Sequence, residues 1–174
     1  MRKVILSVAV TLDGFIEGPN GEYDWCFTDQ DYGMTEFLKR IDALFYGRKS
    51  YELVINQDQG AEGAGMFSHI KSYVFSNTLK EVGPPNLLIS GDIKPQVMRI
   101  KNEPGKDIWL FGGASLTTAF FELGLVDELL LAVHPILLGS GKLLFQDIPG
   151  RTQLKLLEST PYDSGLVMLR YAVL

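Results

Sequence analysis

The stretch DIWLFGGASLTTAFFELG, residues 107–124, narrows the fold more than any other. Ile108 to Phe111 form an apolar run of the length of a buried strand. Leu116, Ala119, Phe120 and Leu123 then recur at i, i+3, i+4 and i+7, the spacing of one helical face. A strand therefore feeds a helix through Gly112-Gly113. The first N–H groups of that helix have no partner within it, and with no Cβ on either glycine another molecule's backbone or phosphate can come close. The junction is a place to hold an anion. Its other reading is that the glycines serve only a tight turn.

The same alternation runs along the rest of the chain. Residues 3–12, KVILSVAVTL, are almost continuously apolar, as a strand covered on both faces is. A turn-rich loop follows, DGFIEGPNGEYDW, of the kind that often covers a site. Met34, Phe37, Leu38, Ile41 and Phe45 give a helical stripe whose start Asp29 or Asp31 could cap. Further strands are expected at Ala43–Tyr46, Tyr73–Phe75, Asn86–Ile89 and Glu128–His134, and a helix over Lys94–Glu103. Residues 56–66, NQDQGAEGAGM, read as a flexible loop. Gln153–Thr160 and Leu166–Ala172 flank a Pro-Tyr-Asp-Ser-Gly turn and read as a terminal antiparallel hairpin. Strands alternating with helices and closing on a hairpin predict an α/β protein whose sheet is mostly parallel with antiparallel edge strands.

At 174 residues the chain is expected to be one domain. With 46% hydrophobic and 21% charged residues it falls in the ordinary globular class, and no apolar run approaches the ~18 residues of a spanning helix. The basic Met1-Arg2-Lys3 start before an apolar run superficially resembles a secretory signal. Its β-branched content and Thr11 and Asp13 fit a first strand better, and no small-residue cleavage site follows. The single cysteine, Cys26, excludes an internal disulfide and any cysteine-cluster metal site, so a cytoplasmic protein is expected. A formal charge of −5 and the lack of a basic run with interleaved aromatics argue against nucleic-acid binding. An anionic ligand would need local cations to meet it.

Such cations and hydroxyls stand at successive strand ends. The Ala43–Tyr46 strand reaches Gly47 and then Arg48-Lys49-Ser50; the Tyr73–Phe75 strand ends in Ser76-Asn77-Thr78; the third end is Gly112-Gly113. Open α/β sheets bind ligands outside the carboxyl ends of their strands. A guanidinium makes paired charge-assisted bonds to phosphate, to which hydroxyls add donors. Three anchors suit a dinucleotide better than one phosphate, yet G-x-G-x-x-G is absent, which disfavours an ordinary Rossmann site.

The ordered set S-x-A-x-T-L-D-G-F-I, G-R-K-S-Y-E, V-F-S-N, F-G-G-A-S-L and H-P-I-L-L-G-S-G-x-x-L-F, spanning Val4 to about Tyr171, resembles the dihydrofolate reductase-like superfamily. The nearest branch is the C-terminal reductase domain of the bifunctional deaminase-reductases of riboflavin biosynthesis, here in stand-alone form, since no deaminase zinc signature is present. The resemblance implies a three-layer α/β/α fold with a central, mostly parallel eight-stranded sheet and an NADPH site across the strand ends. It implies Arg48 on the 2′-phosphate of the adenosine ribose, with Gly47 at the same turn, Lys49 and Ser50 near the pyrophosphate, and Ser76 with Asn77 at the adenosine end. Gly112, Gly113, Ala114, Ser115 and Leu116 would supply backbone N–H groups to the pyrophosphate, and Ala9 and Ile16 main-chain groups to the nicotinamide carboxamide. Positioning and electrostatics are the protein's task with such a cofactor.

A second pocket for a small-molecule substrate would be bordered by the Asp13 loop, Trp25 and the start of the next helix. Its acid is Asp29 or Asp31, with Asp31 favoured; a carboxyl shielded by Trp25 could share a proton with substrate, while helix capping accounts equally for either residue. His134 reads as a core or interface histidine, and His69 as surface-like. Two histidines without a carboxylate at ligand spacing make a metal site improbable. Leu137, Leu138, Leu143, Leu144 and Phe145 exceed what a hairpin needs, which points to a symmetric homodimer. The activity so implied is reduction of a C=N bond or sugar carbonyl of a pterin-, pyrimidine- or ribose-type substrate; the alternative is a non-catalytic NADP-binding module.

Overall fold

In the computed structural model, residues 1–58 and 70–174 are described. The elements run β1 (Val4–Thr11), β2 (Phe15–Glu17), α1 (Met34–Arg40), β3 (Ile41–Gly47), α2 (Arg48–Asp58), β4 (Lys71–Phe75), β5 (Leu87–Ile89), α3 (Ile93–Asn102), β6 (Asp107–Gly112), α4 (Ala114–Glu122), β7 (Glu128–His134), β8 (Lys142–Leu143), β9 (Leu154–Pro161) and β10 (Val167–Val173). Eight of the strands form one sheet in the order β5-β4-β3-β6-β1-β7-β10-β9. β5 through β7 pair in parallel, and the β9–β10 hairpin adds antiparallel strands at one edge. β2 and β8 form a separate antiparallel pair.

The first strand is central: β1 lies between β6 and β7, with Ile5 beside Trp109 on one side and Glu128 on the other. Its residues alternate between two cores, as the period of two requires. Val4, Leu6 and Val10 join Phe45, Ile108, Leu110, Val97, Ile100 and Phe120 on the face covered by α3 and α4. Ile5 joins Leu44, Tyr46, Trp109, Phe37 and Tyr51 on the face covered by α1 and α2. Two covered faces explain the continuous apolar run.

One boundary differs from the pattern in the sequence. The stripe from Met34 to Phe45 predicts a single helix, but α1 ends at Arg40, and Ile41 and Phe45 belong to β3. Pairing of β3 with both β4 and β6 overrides the helical spacing, and Phe45 packs its ring on Phe75 and Phe120 at 5.1 and 5.8 Å between centroids. Residues 56–58 of the expected loop close α2; its remainder, and His69, lie outside the described residues.

The two ends of the parallel strands differ in kind. At the amino ends, buried Glu128 binds Lys3 at 2.5 Å and Arg40 at 2.7 Å, Arg40 also binds Asp107 at 2.9 Å, Lys101 binds Asp127 at 2.6 Å, and Arg2 binds Asp42. Opposite charges at and just before the starts of β1, β3, β6 and β7, with Lys101 of α3, close this rim. The carboxyl rim carries two adjoining cavities.

Candidate functional site

Four parallel strands send their following loops to one cleft. Arg48, Lys49 and Ser50 enter it from the start of α2, Ser76 and Asn77 from the loop after β4, Gly91 from the loop after β5, and Gly113 to Leu116 from the start of α4. They line a cavity of about 360 Å³, with Lys142 of β8 as a further wall. Arg48, Lys49 and Lys142 give it positive charge, and no carboxylate is among its described lining residues. In a chain of formal charge −5 that local excess is what an anion needs.

A second cavity of about 230 Å³ meets the first at Ser50 and Gly113, which line both. Its walls are mainly apolar, from Leu6, Val8, Ala9, Ile16, Leu53, Phe111 and Leu144, with Glu17, Tyr23 and Cys26 also lining it. The thirteen cofactor candidates from the sequence (Ala9, Ile16, Gly47, Arg48, Lys49, Ser50, Ser76, Asn77, Gly112, Gly113, Ala114, Ser115 and Leu116) all line one cavity or the other.

Local bonds fix these loops. Asn77 Oδ1 accepts the Gly91 N–H at 2.9 Å, joining the loops after β4 and β5, and Ser76 Oγ accepts the N–H groups of Thr78 and Leu79. Ser50 Oγ donates to the Gly112 carbonyl, so its hydroxyl braces the junction. Gly112 and Gly113 have φ of 102° and 83°, the left-handed region that favours glycine. Among the described residues no side chain caps α4, and its first N–H bonded back to the preceding turn is that of Thr117, to the Gly113 carbonyl at 3.0 Å. The N–H groups of Ala114, Ser115 and Leu116 therefore precede the helical ladder. Among the described residues, the buried Oγ1 of Thr117 has no hydrogen-bond partner, and Thr117 is one of the residues lining the second cavity.

The residues expected around a substrate are placed otherwise. Asp31 accepts the N–H and hydroxyl of Thr35 at 3.0 and 2.6 Å, and these bonds hold its carboxyl below the usual range. Asp29 accepts the Tyr32 hydroxyl at 2.7 Å. Neither lines either cavity. Asp13 receives the Thr11 hydroxyl and the N–H groups of Leu138 and Gly139, which hold it below the usual range, so its carboxylate pins the segment after β7. Trp25 is buried edge-on against His134, 5.2 Å between centroids. His134 has the core role expected: its Nε2 accepts the Phe27 N–H, which leaves the ring proton on Nδ1 facing the Ala132 carbonyl, and burial lowers its pKa. Burial, with a further push from Asp24, raises the Cys26 thiol to about 11, so it stays protonated.

Lys142, Gly91, Glu17, Tyr23, Leu53 and Phe111 are site residues that the sequence reading does not single out. Lys142 stands at a variable position of the G-S-G-x-x-L-F pattern. It is brought to the cleft by the pairing of β8 with β2, which neighbouring residues in the sequence do not reveal.

A parallel α/β sheet with hairpin edge, whose strand-end loops build a cationic, glycine-lined cleft opening on an apolar cavity, is a dihydrofolate reductase-like fold. The chain belongs to the RibD C-terminal domain family, which it matches over residues 2–168. It is 48% identical over 177 residues to the uncharacterized protein YyaP of Bacillus subtilis strain 168, covering 98% of this chain and 94% of that one. A putative riboflavin biosynthesis protein from Shewanella sp. PV-4 superimposes with a TM-score of 0.86 at 24% identity over 99% of each chain. The dihydrofolate reductase of Enterococcus faecalis, complexed with NADP(H) and RAB-propyl, superimposes with a TM-score of 0.72 at 14% identity, covering 98% of this chain and 96% of that one. At these identities the two structures establish the shared fold.

Proposed function

We propose that this chain is an NADPH-dependent reductase acting on a C=N bond or sugar carbonyl of a small pterin-, pyrimidine- or ribosylamino-type substrate. The observation that carries the reading is the pair of joined cavities, one cationic with no carboxylate among its described lining residues, the other mainly apolar, meeting at Ser50 and Gly113. The residues fit such a cofactor: glycines clear the approach to α4, and among the described residues no side chain caps its first N–H groups and the Thr117 hydroxyl at the junction has no partner.

In this reading Arg48 binds the 2′-phosphate, Lys49 and the start of α4 the pyrophosphate, and Ser76 the adenosine end. Main-chain groups of Ala9 and Ile16 orient the nicotinamide carboxamide. The bound cofactor supplies the hydride. Leu6, Val8, Phe111 and Leu144 give the second cavity apolar walls, against which a bound nicotinamide ring would displace water and strengthen the polar contacts made there.

The separation of Asp29 and Asp31 from both cavities favours one rival, a module that binds NADP without reducing anything. A substrate screen following NADPH absorbance, with dihydrofolate and ribosylaminopyrimidines included, decides between them: turnover supports the reductase, and saturable binding with no turnover supports the module. The chain is further proposed to act in the cytoplasm as a homodimer. Of the expected apolar contacts, Leu137, Leu143 and Phe145 are exposed but Leu144 is buried; Leu154, Leu156 and Leu157 of edge strand β9 add exposed apolar surface.

A further inference from the structure

We propose that Lys142 is an additional phosphate-binding cation of the first cavity and that Glu17 holds it in an exchangeable ion pair, so that an anionic ligand must win Lys142 from Glu17 to bind. The inference rests on the reading of the first cavity as a phosphate site. Lys142 lines the first cavity and Glu17 the second, and the two residues face each other across the β2–β8 pair. Lys142 Nζ lies 3.2 Å from Glu17 Oε1, with the side chains 30% and 38% exposed. An ion pair this open to water contributes little and changes partner at small cost.

The backbone around the pair does not depend on it. Gly141, at φ 137°, lies so close to β2 that a Cβ would sit 2.2 Å from the Glu17 carbonyl oxygen. The Leu144 N–H donates to the Gly14 carbonyl at 2.9 Å, and the Asp13 carboxylate holds the N–H groups of Leu138 and Gly139. Lys142 can thus leave Glu17 while β8 stays docked on β2. Arg48, by contrast, pairs with Glu52 on its own helix. Glu17 is then the carboxylate that competes with a bound phosphate for Lys142, and re-forming the pair favours release of the anion.

Calorimetric titration of NADP⁺ into the full chain and its E17Q, K142M, K142R and E17Q/K142M variants tests this. K142M should bind about tenfold more weakly, as loss of a charged hydrogen bond does. E17Q should bind about three- to fivefold more tightly, K142R within twofold of the unaltered chain, and the double variant like K142M alone, because the two changes share one interaction. Unchanged affinity in E17Q, a gain that persists in the double variant, or a K142R as weak as K142M would overturn the exchange alone. Failure of the unaltered chain to bind NADP⁺ would overturn the reductase reading and this inference together.

Discussion

Ser50 Oγ donates to the carbonyl of Gly112 at 3.2 Å, tying the first turn of α2 to the end of β6 where the two cavities meet. Beside this bond, a Cβ at Gly113 would lie 3.2 Å from Ser50 Oγ, at a φ of 83° that a β-branched residue resists. Gly113→Val should cost about 1–3 kcal/mol of stability, as backbone strain of this kind does. The fold should survive and cofactor binding should be lost. Thermal unfolding and NADPH calorimetry on the same preparation check both parts; retained affinity would move the pyrophosphate elsewhere.

Arg48 is assigned to the group that distinguishes NADPH from NADH. Arg48→Ala should weaken NADPH about tenfold or more, the scale of a charged hydrogen bond, and NADH by less than about twofold. Parallel titrations of the two dinucleotides measure it. Equal losses would remove the 2′-phosphate from this position.

His134 predisposes the loop before α1 to acid. Its Nε2 accepts the Phe27 N–H, an arrangement open only to the neutral ring, and burial depresses its pKa below 6.5. Below 6.5 the unfolded chain binds a proton that the folded chain does not, so stability should be level above that pH and fall as the pH drops toward the folded value. Denaturant midpoints between pH 8 and 5 measure this, and His134→Gln should flatten the slope. The same slope in the variant would assign it to other groups.

Much of the strand pattern is legible because it depends on residues adjacent in sequence. Glu128 to His134 reads as a strand and is one, and the Gly112-Gly113 junction joins a strand to a helix as its periods require. The end of α1 is not legible, since Ile41 and Phe45 continue the spacing of Phe37 and Leu38 while pairing with β4 and β6 decides their state. The same limit applies to the site. Arg48 and Ser76 directly follow strands, so their rim can be inferred; Lys142 reaches the cleft through pairing of two short strands 125 positions apart. Nothing in the spacing from Trp25 tells a carboxylate facing a cavity from one bonded to Thr35, as Asp31 is.

The ion pairs at the closed rim should set resistance to stronger acid. Burial alone would raise the Glu128 pKa, but bonds from Lys3 and Arg40 and their charges bring it below 4.5. Its stabilisation is present above 4.5 and is lost as the pH falls through the lower folded value. Glu128→Gln should cost about 1–3 kcal/mol at pH 7 and less as the pH falls below 4. Urea unfolding at the two pH values tests it; a constant loss would mean that charge is not the cause.

The central claim is that loops on one rim together grip a phosphorylated dinucleotide. Crystals grown with NADP⁺ test it most directly. Density running from Arg48 and Ser76, past the start of α4, into the cavity beside Ala9 and Ile16 is the expected result. NADP⁺ ordered at another surface, with both cavities clear of it, would contradict the account.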